Sequence, residues 1–280
     1  MRADRVIVVF AFRLAYDGRG YHGFQRQPDV STVEGSLLEA LAALDVLERP
    51  TEVPPGYAAA GRTDAGVSAI RQTVAFEAPE WLEPRVLSRA LPEDIHAWAR
   101  AAVPPTFHAT HDAVYRRYTY HLWAVDLDEA RVRAAIDALD GYHDFHNLTP
   151  DETSTRRVVH LSVDRIDRWL VVTAQAPGFA RLLVRRIVAV VRAVGAGEIE
   201  VGRIGRLLSE GAIAGHLDVA PAPPHPLVLR RVHYAGLEFR RDQVTLAAMR
   251  AWFDGVVSDA ATRACQFANV PGSSPRPRSE

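Results

Sequence analysis

Extended and helical segments alternate along this chain, and their order limits the folds that it can adopt. Apolar and polar residues alternate with the period of two that strands require near 6–16, 72–78, 94–102, 114–123, 157–165, 169–176 and 227–234. Helical spacing occurs near 32–47, 84–91, 128–139, 179–194 and 202–209, and a further helix is predicted near 242–253. This mixed order predicts an α+β protein.

The segment Val103-Pro104-Pro105 divides the pattern into two stretches that each contain strands and helices. We therefore predict an N-terminal α/β domain over residues 1–104 and a C-terminal α/β domain over 105–236. Each is expected to be a sandwich with an antiparallel or mixed sheet. Residues 237–280 are predicted to form a C-terminal helix and a disordered tail that starts at Pro271.

Composition narrows the class of protein. The chain has 280 residues, of which 48% are hydrophobic, so it can bury a substantial core. We find no run approaching the roughly 20 apolar residues of a membrane span and predict no membrane partner. Cys265 is the only cysteine, which excludes an internal disulfide and favours a cytoplasmic location. The pairs His108/His111 and His143/His146 lack familiar zinc spacing, so no metal is predicted.

All 33 basic residues are arginines. The lack of lysine excludes Schiff-base catalysis, pyridoxal phosphate enzymes and the P-loop, because each needs a lysine amine. The formal net charge is -1, so a polyanionic partner must meet a local basic surface. The arginine-rich stretch from Thr155 to Arg206 could form one, and a solvated helical face is the alternative.

The nine residues from Gly61 to Ala69 carry the groups best suited to chemistry. They lie between two extended segments and are predicted to form a loop. Asp64 offers a carboxylate for nucleophilic or proton-transfer chemistry, and Arg62 offers planar donors for a phosphate or a base. An aspartate that only stabilises a turn is the alternative.

The sequence Gly61-Arg62-Thr63-Asp64-Ala65-Gly66-Val67 resembles the active-site signature of the TruA-type tRNA pseudouridine synthases. Further motifs of that family lie before and after this signature, in the expected order, over roughly residues 12 to 234. They are Tyr16-Asp17-Gly18 with Tyr21 to Gln27, Thr32-Val33-Glu34, Phe107-His108-Ala109, Arg116 to Tyr120, His143-Asp144-Phe145 and Phe179 to Ile187. The resemblance implies the pseudouridine synthase fold, with two related domains facing each other across a catalytic cleft.

The resemblance also implies an activity, the isomerisation of uridine to pseudouridine in the anticodon stem-loop of tRNA at positions 38 to 40. It implies no cofactor and a homodimer. The reaction breaks the C1′–N1 bond, turns the uracil and rejoins it through C5, so one carboxylate is enough because the leaving base returns. Asp64 is the catalytic candidate, by covalent attack or by removal of a sugar proton to give a glycal.

The family pattern assigns roles to three other residues, and two more arginines are predicted to bind the substrate. Arg62 matches the arginine that fills the space left by the flipped nucleotide. Tyr118 matches the active-site tyrosine that packs against the uracil, and Arg185 matches the arginine that pairs with the catalytic aspartate and keeps it ionised. Arg26 and Arg181 are expected substrate contacts.

Residue patterns alone leave plainer roles open for the same side chains. A period of two puts Arg116, Tyr118 and Tyr120 on one face of a strand, where a tyrosine can also be a core residue. In the helix predicted over 179–194, Phe179 belongs to the apolar stripe. Arg181 and Arg185 stand one turn apart there, which favours an anion opposite them or a solvated face.

Three departures from the family pattern keep two other functions open. Ser68 stands where many relatives have histidine, Arg186 stands where asparagine is usual, and the segment from Trp123 to Asp128 is short. One alternative is a tRNA-binding or folding protein of the same fold that lacks turnover. The other is a nucleoside or glycoside hydrolase that uses Asp64.

Overall fold

The computed structural model of the protein describes residues 7–150, 156–209 and 220–267. Within these ranges the strands form one ten-stranded sheet. They are β1 Ile7–Tyr16, β2 Ala58–Ala59, β3 Ser68–Pro79, β4 Ile95–Ala102, β5 Ala113–Trp123, β6 Gly141–Asp144, β7 Arg156–Ile166, β8 Trp169–Ala176, β9 Leu227–Tyr234 and β10 Arg240–Arg241. The α-helices are α1 Val33–Ala43, α2 Pro84–Ala90, α3 Glu129–Leu139, α4 Leu183–Gly195, α5 Ile204–Leu207 and α6 Gln243–Phe267.

The strand order is β10-β4-β1-β3-β9-β5-β8-β7-β6, with β2 paired to β3 beside this path. Neighbouring strands run antiparallel except at one place in the middle of the sheet. There β3 and β9 pair in parallel, with Ser68 opposite Val228 and Ala69 opposite Leu229. This short parallel seam joins the N-terminal strands to the C-terminal ones, and the predicted α+β class is confirmed.

Helices pack on one face of the sheet and form two hydrophobic clusters with it. The N-terminal cluster packs α1 and α2 on β1, β3 and β4, and the C-terminal cluster packs α3 and α4 on β5, β7 and β8. Thr32 begins α1, because its hydroxyl accepts a hydrogen bond from the N–H of Gly35 at 3.2 Å. On the other face of the sheet, Met249 of α6 packs against Trp98 of β4.

The seven longer strands lie where the alternation predicts them, whereas short elements were not predicted. β2 and β10 have two residues each, too few for a period to show. The predicted helix over 202–209 is a 3₁₀ turn at Val201–Arg203 followed by α5, and α6 extends well beyond residue 253. The proposed limits of the two domains stay a prediction, and the tail from Pro271 lies outside the described residues.

The helix predicted from residue 179 was wrong at its start. α4 begins at Leu183, because Leu182 has a left-handed backbone with φ of 61° and ends the preceding turn. Phe179 and Arg181 therefore lie ahead of the helix, so Arg181 and Arg185 do not share a helical face. Because they precede the helix, residues 179–182 lie toward the middle of the sheet, beside the candidate active site described below.

Candidate active site

The loop that carries Asp64 leaves the short strand β2 and enters β3 at the parallel seam. Three hydrogen bonds hold its backbone and hydroxyl in place. The amide of Gln72 donates to the carbonyl of Gly61 at 2.7 Å, the N–H of Phe24 donates to the carbonyl of Thr63 at 3.0 Å, and the hydroxyls of Tyr16 and Thr63 lie 2.8 Å apart. Tyr16 and Phe24 are fully buried, so the loop rests on core residues.

Two glycines allow other segments of the chain to pack closely against one another at this loop. Gly23 has a φ of +100°, and a Cβ atom there would lie 2.9 Å from the carbonyl oxygen of Thr63. Gly66 has a φ of +80°, and a Cβ atom there would lie 3.0 Å from the ring of His225. A side chain at either position would force the loop or its support to move.

Asp64 forms an ion pair with Arg185 of α4. Nη1 of Arg185 lies 3.3 Å from Oδ2 of Asp64, and the exposed fractions of the two side chains are 15% and 31% respectively. Nε of Arg185 donates to the carbonyl of Ala222 at 2.7 Å, and the N–H of Ala222 donates back to the carbonyl of Arg185 at 3.1 Å. The segment before β9 thus fixes the guanidinium group, while the carboxylate stays open to the cleft.

Tyr118 of β5 stands near the loop. Its hydroxyl would lie 3.8 Å from a Cβ atom at Gly61, and its ring meets the ring of Phe179 edge to face, with centroids 5.3 Å apart. Burial, with a smaller contribution from the Asp64 carboxylate, raises the pKa of Tyr118 to about 12. The phenol is therefore neutral at physiological pH and can donate a hydrogen bond.

Arg116 precedes Tyr118 by two residues and has a structural task that the sequence did not predict. Its buried guanidinium group donates to the carbonyls of Ala60 at 3.0 and 2.7 Å, of Thr110 at 2.6 Å and of Pro177. Burial lowers the pKa of Arg116. Three chain segments around the site thus contact one buried cation. The only sequence signal for this structural role was an arginine on the inward face of a strand.

These groups line a cleft of about 1260 Å³ at the centre of the sheet. Asp64, Tyr118 and Arg185 lie in its wall together with the exposed Arg62 and Arg181. Arg26 is not among the described residues that line it, and its Nη1 instead donates to the carbonyl of Pro50 at 3.0 Å. The structure thus brings together five of the six predicted site residues.

Of the described residues that line the cleft, the only carboxylate besides Asp64 is that of Glu34. Its Oε2 accepts a hydrogen bond from the backbone N–H of Arg26 at 2.7 Å. In the described part of the chain, no group of three or more histidine, cysteine, aspartate or glutamate residues is placed to hold a metal ion. None of the described helices is long and apolar enough to cross a membrane.

Comparison with known proteins identifies the family. A family model described as tRNA pseudouridine synthase matches residues 135–235. The chain is 51% identical over 252 residues to tRNA pseudouridine synthase A of Haloarcula marismortui, covering 87% of this chain and 92% of that protein. The chain belongs to the tRNA pseudouridine synthase family.

Other relatives extend this family membership beyond one group of organisms. The protein of the same name from Halobacterium salinarum is 52% identical over 259 residues, with coverage of 91% of this chain and 95% of that protein. The one from Methanothrix thermoacetophila is 37% identical over 273 residues and covers 90% and 97%. The family that the sequence motifs predicted is therefore confirmed.

The three departures from the family pattern have defined positions in this synthase. Ser68 accepts a hydrogen bond at its Oγ from the N–H of Gly18 at 3.0 Å, so it supports the loop from outside the cleft. Arg186 is half-buried, and its Nε is sequestered without a hydrogen-bond partner among the described residues. Trp123 ends β5, and Asp128 caps α3 by accepting from the N–H of Ala130 at 2.9 Å.

Proposed function

We propose that this protein converts uridine to pseudouridine in the anticodon stem-loop of tRNA, at positions 38 to 40, with Asp64 as the catalytic carboxylate. The observation that carries the proposal is the Asp64–Arg185 pair in the wall of a cleft, beside the neutral hydroxyl of Tyr118. An aspartate side chain paired with a fixed cation and open to a cavity suits nucleophilic or basic catalysis.

The chemistry needs no group from outside the chain. The bond between C1′ and N1 of the uridine breaks, the uracil turns while bound, and a bond forms between C1′ and C5. The proton on C5 is then lost and N1 gains one, so the atoms balance without a cofactor. Asp64 either attacks the nucleotide covalently or removes a sugar proton, and both routes use one carboxylate.

The remaining side chains divide the work of binding. Arg185 orients Asp64 and compensates its charge, and the ring of Tyr118 offers a surface for the uracil. Arg62 is exposed on the same loop and lines the cleft, and its proposed role is to occupy the space that the flipped nucleotide leaves. Arg181 offers donors for phosphate at the cleft wall. Arg26 stays a predicted contact at the margin.

The proposal includes a homodimer and a cytoplasmic location, and it rests on the family for both. tRNA is the substrate named for the relatives, and its processing suits a cytoplasmic enzyme. A two-copy assembly is checked by light scattering of the purified protein, where a mass near twice 30.9 kDa is expected and a mass near 30.9 kDa would contradict the dimer.

Incubation with an unmodified tRNA transcript, followed by mapping of pseudouridine, tests the function. The wild-type protein is expected to form the isomer in the anticodon arm, whereas a binding protein leaves the RNA unchanged and a hydrolase releases free uracil. Asp64→Asn is expected to lower conversion by about 10⁴-fold or more with tRNA affinity largely retained.

A matched variant of the other cleft carboxylate gives the control. In Glu34→Gln the amide oxygen can still accept from the N–H of Arg26, so conversion should stay close to that of the wild type. Normal turnover by Asp64→Asn would refute the assignment of the catalytic group. Equal losses in both variants would instead point to a two-carboxylate hydrolytic mechanism.

A further inference from the structure

A second cavity lies on the face of the sheet opposite the active-site cleft. It has a volume of about 650 Å³, and its lining includes four arginines from three strands. We call it the arginine groove and define it by Arg71 of β3, Arg117 and Thr119 of β5, and Arg230 and Arg231 of β9. None of these residues lines the cleft.

The alternation of β5 separates the two cavities. Arg116 and Tyr118 point into the cleft, and Arg117 and Thr119, which alternate with them, point into the groove. A β-bulge between Arg117 and Tyr118, where β5 pairs with β9, interrupts the ladder. Arg230 is the residue of β9 left without a direct partner there, so Arg230 and Arg231 both reach the groove.

The positive charge of the groove is not paired with a carboxylate of the described residues. Within the described part of the chain, none of its four guanidinium groups makes an ion pair with a carboxylate. Exposed arginines elsewhere do so, as in the pairs Arg133–Glu129 at 2.7 Å and Arg192–Glu198 at 3.4 Å. Asp164, on the far wall, is the only acid among the described lining residues.

The arginines also crowd one another. Burial lowers the pKa of Arg71, and the charges of Arg231, Arg241 and Arg230 lower it further. Gathering like charges in this way costs free energy, and an anion in the groove would offset that cost. The like-charge repulsion therefore marks the groove as a place for a polyanion rather than as an ordinary solvated surface.

The groove is organised before any ligand arrives. Nε and Nη2 of Arg117 donate to Oε1 of Gln175 at 2.9 and 2.7 Å, and the guanidinium groups of Arg117 and Arg231 lie 5.6 and 5.9 Å from the ring centre of Tyr115. Oγ1 of Thr119 is sequestered and has no hydrogen-bond partner among the described residues. Gln175 thus fixes the Arg117 guanidinium group through Nε and Nη2 and leaves its Nη1 for an oxygen of a phosphate.

We propose that the arginine groove binds the phosphodiester backbone of RNA at a site separate from the catalytic cleft. The chain has a formal net charge of -1, so a local cluster of this kind is where a nucleic acid gains electrostatic affinity. The substrate tRNA is the RNA that the proposed function supplies, and the inference rests on that function for the choice of RNA.

The test is the salt dependence of binding to an unmodified full-length tRNA transcript. In Arg230→Gln/Arg231→Gln, the slope of log affinity against log salt concentration should become shallower by about two, since each lost phosphate contact removes about one. The matched control is Arg85→Gln/Arg89→Gln, which removes two exposed charges from α2, and its slope should equal that of the wild type.

Two further measurements separate the possible causes. The first uses Arg230→Lys/Arg231→Lys, which keeps the charges and should restore most of the salt-dependence slope. The second is conversion at saturating tRNA, which should be unaffected in all of these variants because the groove lies outside the cleft. Equal slopes for the glutamine variant and its α2 control would overturn the proposal, as would a lysine variant with the slope of the glutamine one. Failure of the proposed function appears separately, as a wild-type protein that binds tRNA without forming pseudouridine.

Discussion

Arg116 is expected to hold the active-site segments together, and its replacement by methionine measures how much. Methionine has a similar length and is apolar, so Arg116→Met removes every donor to the carbonyls of Ala60, Thr110 and Pro177 while largely filling the space. Pro177 is exposed and Thr110 is half-buried, so water can reach both in part, whereas Ala60 is buried. The main cost therefore falls on Ala60.

A buried acceptor left without a partner costs about 1 to 3 kcal/mol. Taking that full cost for Ala60, part of it for Thr110 and little for Pro177 gives about 2 to 4 kcal/mol. The burial that lowers the pKa of Arg116 opposes this loss, because the variant no longer buries a charge. We therefore expect a net destabilisation of about 2 to 3 kcal/mol.

Urea unfolding checks this expectation, with Arg117→Met as a control from the next residue of the same strand. Arg117 points to the other face and, among the described residues, donates only to the side chain of Gln175, so its loss should cost less than about 1 kcal/mol. The midpoint of Arg116→Met should be clearly lower at an unchanged m-value. Equal midpoints for the two variants would refute the reasoning that a buried cation ties the loop.

Two other expectations concern the support of the site. The pKa of Tyr118 is higher in the folded protein than the value near 10 in the unfolded chain, so stability should fall as the pH rises from about 10 to about 12. Tyr118→Phe should lose less stability than the wild type between pH 8 and pH 11, and an equal loss would contradict the buried phenol. Gly23→Ala should cost at least about 1 kcal/mol in urea unfolding and reduce conversion, because of its φ of +100° and the carbonyl of Thr63 2.9 Å from the added carbon. Gly20→Ala meets no atom within 4 Å and should be neutral, so similar losses in both variants would count against the close approach.

Periodicity predicted the elements that are long enough to carry it. The seven longer strands and the α+β class were available from the sequence, because a pleated strand with one buried face repeats every two residues. The predicted start of α4 at residue 179 was wrong. The sequence carries no sign of the left-handed backbone at Leu182, because Phe179 to Leu182 contains neither glycine nor asparagine, the residues that usually adopt it.

The parts of the site that are contiguous in sequence could be predicted, and the parts that combine distant segments could not. Gly61 to Val67 is contiguous, so its loop and its carboxylate could be found as one motif. Asp64 and Arg185 are 121 residues apart, and only the family resemblance linked them before the structure did. The contacts of Arg116 and the arginine groove combine segments with no shared motif, and no pattern along the chain reports them.

The seam between β3 and β9 also sets when an active molecule can first exist during synthesis. Ser68 finds its partner Val228 only after most of the polypeptide has left the ribosome, and the N-terminal hydrophobic cluster includes Leu229 and Val232. A nascent chain that stops before Ala222 lacks both that pairing and the segment that holds Arg185. Such late, long-range closure slows folding, and it means that tRNA meets a catalyst only after the residues of β9 have been synthesised.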